Sequence, residues 1–119
     1  MGSILLFLDD ERDVTDVTWI VYEVHDLVVV FRTVDDFVEA VIKSISMYDR
    51  ITVSLDHDLQ LFVGNTELTG KTAINMIIDA LIDIDACEWI NRLKVIAHTK
   101  NPIGKANIEG IWNCFVHTR

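Results

Sequence analysis

Four short apolar runs in the chain predict four buried β-strands. They are Ser3–Leu8 (SILLFL), Leu27–Arg32 (LVVVFR), Arg50–Leu55 (RITVSL) and Leu93–Ala97 (LKVIA). Runs of this length, rich in β-branched residues and without clean alternation, are typical of strands covered on both faces. They favour a parallel sheet enclosed by other elements over an antiparallel sheet with one wet face.

The segments between the later strands carry apolar residues at helical spacing. The helices predicted from this spacing are Asp35–Met47, Lys71–Ile84 and Gly104–Phe115. Thr33 is the predicted N-cap of the first, Thr69-Gly70 precedes the second, and Pro102 lies near the start of the third. The segment Asp13–Asp26 fits a strand or a helical turn equally well, so its structure is left open.

The order of elements is therefore β, an open segment, β, α, β, α, β, α. Parallel strands joined by right-handed helical crossovers form an α/β layer sandwich. Residues 1–119 contain no internal repeat or linker, which predicts a single domain. In such sheets ligands bind beyond the carboxyl ends of the strands.

Composition narrows the classes of partner. Ten Lys and Arg against nineteen Asp and Glu give a formal charge of −9, which argues against general binding to nucleic acids or anionic membranes. Half of the residues are apolar, enough for a core, but no apolar stretch reaches the ~18 residues of a membrane span. The acidic N-terminal sequence predicts neither a signal peptide nor an anchor. Cys87 and Cys114 form no CxxC motif, so we expect a reduced, cytoplasmic protein.

Titratable and polar residues follow three of the predicted strands. These residues are Asp9, Asp10 and Glu11 after the first strand, Asp56, His57 and Asp58 after the third, and His98, Thr99 and Asn101 after the fourth. If the first and third strands are neighbours, several carboxylates converge, and a proton or a cation must offset their repulsion. An oxygen-only cluster suits Mg²⁺, with Asp9, Asp10, Asp56 and Asp58 as candidate ligands.

Spacing and charge also distinguish roles around this cluster. Asp56 and Asp58 lie two residues apart on an extended chain, so both can face a crevice while His57 points aside. Arg12 and Lys100, near the rim, can contact a phosphate, Arg12 through two parallel hydrogen bonds. The three tryptophans, Trp19, Trp89 and Trp112, are interpreted as packing residues rather than platforms for a nucleobase.

Four motifs together resemble a known family. LFLDDER, SLDHDL, the Thr69-Gly70 helix start and AHTKNPIG look like the cyclic-phosphate-processing receiver-like domains, over a span from Leu5 to about Ile111. That family is related to the receiver domains of two-component signalling. The resemblance implies a three-layer, flavodoxin-like sandwich whose four parallel strands follow the order 2-1-3-4, truncated relative to signalling receivers.

The resemblance also implies roles for individual residues. Asp9 and Asp10 would be the metal-binding acidic pair, and Asp56 would stand at the phosphoacceptor position. His57 and His98 would be the additions that distinguish the family from signalling receivers. The chain lacks an obvious fifth strand with its lysine and inserts Gln60–Leu68 after the acidic motif, and both features argue against a phosphorelay.

Opening a cyclic phosphate requires an activated water and protonation of the leaving alkoxide. Two imidazoles, those of His57 and His98, can serve as base and acid in either order, with a gain of ~10²–10⁴-fold in rate. Thr99 belongs to this candidate catalytic set. A cation held by Asp9, Asp10 and Asp56 would neutralise the non-bridging oxygens. Asn101 and the backbone near Gly104, at a helix start, form a candidate anion seat.

Three functions are consistent with the sequence. The first is metal-assisted hydrolysis of a cyclic phosphate, such as a nucleotide derivative, by a phosphodiesterase-like enzyme. The second is a non-catalytic or phosphoaccepting receiver module that acts through a protein partner. The third is a small acidic effector that mimics or blocks an anionic surface. A histidine at each of two strand ends favours the first, because an interaction module has no use for both.

Overall fold

The computed structural model describes residues 2–118, apart from the side chain of Cys87. Its strands are β1 (Ser3–Leu8), β2 (Leu27–Phe31), β3 (Arg50–Leu55), β4 (Leu61–Val63), β5 (Thr66–Leu68) and β6 (Leu93–Ala97). Four of them form one parallel sheet in the order β2-β1-β3-β6. The four predicted strands and their order are confirmed, with β2 one residue shorter than expected.

The register of the sheet aligns the residues that follow the strands. Leu8 of β1 pairs with Leu55 of β3, and Leu55 pairs with Ala97 of β6. The next residues along these three strands, Asp9, Asp56 and His98, therefore leave the sheet at one level. Backbone hydrogen bonds continue the ladder for one further step, from Asp56 N to Leu8 O (3.0 Å) and from His98 N to Leu55 O (3.0 Å).

The described α-helices follow the second, third and fourth strands of this sheet. They are α1 (Val34–Ser44), α2 (Gly70–Asp83) and α3 (Pro102–Thr118), with 3₁₀ turns at Val14–Asp16 and Cys87–Arg92. Thr33 caps α1 by accepting a hydrogen bond from Asp36 N, as predicted, and Thr69 caps α2 in the same way. Helix α3 begins at Pro102, two residues before the predicted start, and runs three residues beyond Phe115.

All three helices pack on one face of the sheet. Alternation along β1 directs Ile4, Leu6 and Leu8 to this face, where they join one core cluster with residues of α1, α2 and α3. The same alternation directs Leu5 and Phe7 to the opposite face, and both are nevertheless fully buried. The opposite face is therefore covered by something other than these helices.

Residues 17–26, here named the strap, cover that second face. This stretch, which the sequence left open, is irregular and lies against the polar side of β3. Tyr22 Oη lies 2.6 Å from Ser54 Oγ, and His25 Nε2 lies 2.7 Å from Thr52 Oγ1. Asp26 accepts a hydrogen bond from Ser3 N at 2.9 Å. The third layer of this sandwich is thus a hydrogen-bonded strap.

Three further features concern the rest of the chain. The predicted insertion, Gln60–Leu68, folds as the antiparallel hairpin β4–β5, and Gly64 at its turn has a φ of +63°. Within residues 2–118, no helix is long and apolar enough to cross a membrane. The Cys114 thiol is free and exposed, whereas the Cys87 side chain lies outside the described part of the chain.

Candidate functional site

A cleft of about 200 Å³ opens at the carboxyl ends of β1, β3 and β6. Its lining residues are Asp9, Asp10, Glu11, Arg12, Asp56, Asp58, Gln60, Thr99, Lys100 and Asn101. The structure thus brings together all four predicted metal-binding carboxylates and three of the four predicted substrate-binding residues. Asp56 and Asp58 face the cleft while His57 between them does not line it, as expected for an extended chain.

Hydrogen bonds hold the Asp9 carboxylate in place at the site. Its side chain is 1 % exposed, and Oδ1 accepts hydrogen bonds from Glu11 N at 2.9 Å and Arg12 N at 3.0 Å. Its Oδ2 lies 3.0 Å from His98 Nε2. Burial alone would raise the pKa of Asp9, but the hydrogen bonds from His98 and from these backbone amides outweigh it and lower the pKa from 3.8 to about 2. Asp9 is therefore ionised at neutral pH.

The surroundings of Asp56 favour its ionised form less than those of Asp9 do. It is buried, and its Oδ1 accepts one hydrogen bond, from His57 N at 2.9 Å. Burial and the negative charge of Asp9 raise the pKa of Asp56, and burial together with Asp9, Glu11 and Asp56 raises the pKa of Asp10. These carboxylates thus repel one another and favour a cation between them. Asp9 and Asp56 form what is here called the floor of the cleft.

The donor atoms on the floor fit a divalent cation. Asp9, Asp56 and His98 each offer one atom, and these atoms lie within 4.8 Å of one another. Both nitrogens of His98 are already hydrogen-bonded, so the two carboxylates are the donors turned toward the cleft. Carboxylate oxygens suit Mg²⁺, which usually retains several waters. Asp10 and Asp58 line the same cleft outside this group of three.

His98 acts behind the floor. It is 0 % exposed, and its ring stacks on Phe7 with centroids 4.3 Å apart and 4° between the planes. Its Nδ1 lies 2.8 Å from Ser54 Oγ, which is 2.6 Å from Tyr22 Oη. The imidazole does not line the cleft, and it contacts the cleft residue Asp9, which it holds in place.

His57 and Gly104 pack against each other beside the cleft. A Cβ on Gly104 would lie 2.6 Å from His57 Cγ, so only glycine leaves room for this imidazole. His57 Nδ1 lies 3.0 Å from Oδ1 of Asp58, and the pair connects the ring to the cleft. The amide of Gly104 donates to Asn101 Oδ1 at 3.2 Å, which caps α3. Of the predicted anion seat, the structure brings Asn101 to the cleft, and the Asn101 side chain occupies the Gly104 amide.

Two cations share one aromatic ring at the rim. The Arg12 guanidinium carbon is 5.2 Å and the Lys100 ammonium 4.4 Å from the centre of the Trp19 ring. The indole of Trp19 donates to the backbone carbonyl of His98 at 2.7 Å, which fixes the ring. Lys105 instead bonds Ala97 O and Glu109, at the edge of the sheet. Arg12 and Lys100 are therefore the cations that face the cleft.

Comparison with known proteins identifies the family. Residues 4–113 match the family model described as Cyclic-phosphate processing Receiver domain. The chain belongs to this family. Neither a curated protein sequence nor a solved structure matches the chain.

Three residues of this receiver domain had no functional role assigned to them from the sequence. The Trp19 ring contacts the rim cations. Ser54 is hydrogen-bonded to His98, and Tyr22 is hydrogen-bonded to Ser54. One signal was present in β3, which, contrary to the description of all four runs as lacking clean alternation, does alternate: Arg50, Thr52 and Ser54 stand between Ile51, Val53 and Leu55. A buried polar row on one face of a strand requires hydrogen-bonding partners, which here come from the strap. The interpretation of Trp19 as a packing residue therefore missed its place at the rim.

Proposed function

We propose that this receiver domain hydrolyses a cyclic phosphate, such as a nucleotide derivative, with the help of Mg²⁺ or a similar divalent cation. The observation that carries the proposal is the arrangement of charge within one cleft. A floor of buried carboxylates, Asp9 and Asp56, faces a rim with two cations, Arg12 and Lys100. An acidic floor suits a metal ion, and a cationic rim suits the non-bridging oxygens of a phosphate.

Asp9 and Asp56 would hold the cation. When bound, the ion would neutralise charge on the phosphate and acidify a coordinated water. His98 fixes the orientation and ionisation of Asp9 through the 3.0 Å contact of its Nε2. This is a positioning role, whereas the sequence suggested direct proton transfer, and the change follows from the full burial of the imidazole.

The ring-opening step needs groups that reach the substrate. Water attacks phosphorus, one ring P–O bond breaks, the alkoxide takes a proton and the product is a phosphate monoester. Asp58, oriented by His57, would accept the proton of the water, and Asp10, which lines the same cleft, would supply a proton to the alkoxide. The Thr99 hydroxyl accepts from Asn101 N at 3.1 Å, which leaves its proton for a phosphate oxygen.

A phosphoaccepting receiver module is the alternative, and one observation favours it. Asp56 directly follows β3 and lines the same cleft as Thr99 and Arg12, so one side of its carboxylate faces the space where a phosphodonor would bind. In that function the product would be an acyl phosphate on Asp56, and binding of a protein partner would follow from it. The two functions differ in where phosphorus ends, which an experiment can observe directly.

A ³¹P NMR assay tests the proposal. A panel of 2′,3′-cyclic nucleotides, ADP-ribose 1″,2″-cyclic phosphate and cyclic dinucleotides is incubated with the protein, with Mg²⁺ or with EDTA. We expect one class to open to a monoester with Mg²⁺, with loss of turnover in EDTA and in Asp56→Asn. Lys43→Gln, on the exposed side of α1, is the matched control and should retain full turnover.

Each other outcome contradicts part of the proposal. Turnover that survives EDTA would remove the metal from the mechanism. A folded protein that opens no member of the panel but shows an acyl phosphate resonance with acetyl phosphate would instead support the receiver module. No phosphorus chemistry with either reagent would overturn both functions.

A further inference from the structure

Arg12 lies between the floor and the rim of the cleft. Its Nη1 atom is 3.9 Å from Asp9 Oδ2 and 3.8 Å from Asp56 Oδ2. These are the same two carboxylates that offer ligand atoms to a cation. Both distances exceed the 2.7–3.2 Å typical of an N–H···O hydrogen bond. The guanidinium therefore neutralises the pair electrostatically without locking onto either carboxylate.

We propose that Arg12 is an exchangeable counterion of the Asp9–Asp56 pair. Binding of a divalent cation breaks the contact of the guanidinium with this pair, and the guanidinium, still at the rim, then binds a phosphate oxygen. The inference rests on the metal site of the proposed function and adds an order of events to it. Metal binding comes first and creates the phosphate-binding position of Arg12.

The exchange follows from charge and burial. Asp9 and Asp56 are buried with 1 % and 7 % of their side chains exposed, so an ionised pair there requires a nearby positive charge. The Arg12 side chain is 39 % exposed and can turn without opening the core. A divalent ion and a guanidinium held against the same two oxygens would repel each other strongly in this half-buried setting.

The Trp19 ring keeps the released guanidinium at the rim. The Trp19 ring lies 5.2 Å from the Arg12 guanidinium carbon and also carries Lys100 at 4.4 Å. The ring is anchored to the backbone of His98, so it stays in place while Arg12 pivots across it. Beside Lys100, the guanidinium completes a two-cation site for phosphate.

Calorimetric titration with Mg²⁺ alone tests the exchange without any turnover. We expect Arg12→Gln to bind Mg²⁺ about tenfold or more tightly than the wild type, because the competing charge is gone. Lys100→Gln removes an equal charge from the same ring but from a side chain that makes no ion pair among residues 2–118. It should change Mg²⁺ affinity by less than about threefold. Lys43→Gln, remote on α1, should not change it.

Tryptophan fluorescence provides the second readout. Mg²⁺ should change the emission of the wild type, because the guanidinium beside Trp19 moves. The change should disappear in Trp19→Phe and in Arg12→Gln, although the latter still binds Mg²⁺ in the calorimeter. A full emission change in Arg12→Gln would show that the signal does not come from Arg12.

The titrations separate failure of this inference from failure of the proposed function. Wild-type binding of Mg²⁺ with equal or weaker affinity in Arg12→Gln would overturn the exchange and leave the metal site intact. Absence of Mg²⁺ binding in the folded wild type and in Arg12→Gln would overturn the metal site, and the exchange with it.

Discussion

The Nε2 atom of His98 lies 3.0 Å from Oδ2 of Asp9, with both side chains buried. An ionised carboxylate can only accept, so Nε2 carries the proton, and in the neutral ring Nδ1 accepts from Ser54. Ser54 in turn contacts Tyr22 of the strap. A chain of hydrogen bonds thus runs from the back of the sheet to the floor of the cleft. The second face of the sheet thereby determines how Asp9 is oriented.

Loss of the His98 ring should destabilise the protein. His98→Ala removes a buried ring that stacks on Phe7 and leaves Asp9 and Ser54 without their shared partner. We expect the free energy of unfolding, measured in urea, to fall by about 3 kcal/mol. His117→Ala, exposed on α3, is the matched control and should change it by less than about 0.5 kcal/mol. Equal stability of the two variants would contradict the buried network.

The lowered pKa of Asp9 predicts a specific dependence of stability on pH. A carboxyl group whose pKa is about 2 when folded and 3.8 when unfolded stabilises the protein above pH 4. This stabilisation, about 2 kcal/mol, is lost as the pH falls from about 4 to 2. Asp9→Asn should lack this part of the acid-induced loss.

Urea unfolding at a series of pH values between 2 and 6 measures the effect. The curve of Asp9→Asn should be flatter than that of the wild type below pH 4. Asp79→Asn, an exposed position on α2, is the control and should follow the wild type. Parallel curves for Asp9→Asn and the wild type would show that Asp9 is not held in its ionised form.

Ionisation of Asp56 should affect the stability of the protein in the opposite direction to ionisation of Asp9. Burial and the charge of Asp9 raise its pKa, so its ionised form costs stability at pH 7, and the cost vanishes as the pH falls through that raised pKa. In EDTA, Asp56→Asn should raise the melting temperature by ~2–4 °C. The same variant should lose the Mg²⁺-dependent rise that we expect in the wild type. A lower melting temperature in EDTA would contradict the electrostatic cost assigned to Asp56.

Two helical glycines should respond oppositely to alanine. A Cβ on Gly70, at the start of α2, would lie 2.1 Å from the backbone oxygen of Asp56, which no side-chain rotation can relieve. We expect Gly70→Ala to cost about 3 kcal/mol and to weaken Mg²⁺ binding, because Asp56 must shift. Gly110 of α3 is exposed with open space around it. Gly110→Ala should therefore increase the free energy of unfolding by about 0.5–1 kcal/mol. Urea unfolding of both variants tests this pair.

The sheet and its acidic edge were predictable because their signals are local. A short, continuous apolar run such as Ser3–Leu8 predicts a buried strand. The capping residues Thr33 and Thr69 mark the starts of helices to within a few residues. In a parallel sheet the residues after neighbouring strands meet at one edge. The sequence therefore predicted that Asp9 and Asp56 lie together if their strands are neighbours.

The strap shows why the remainder was not predictable. Residues 17–26 form neither helix nor strand, so they carry no periodicity. They are held by hydrogen bonds between residues far apart in sequence, such as that between Tyr22 and Ser54. Pairings of this kind depend on which segment finds a polar row on the sheet, and no spacing along the chain encodes that choice.

The sequence by itself determined the four strands of the parallel sheet, the three helices and the convergence of carboxylates with Arg12 and Lys100, and the resemblance to the family added the strand order. Only the tertiary structure decided what each residue faces. It buried His98 behind Asp9, packed His57 against Gly104 and placed Trp19 beneath both rim cations. The physical reason is that local pattern sets the path of the backbone, whereas the environment of a side chain depends on contacts made across the whole fold.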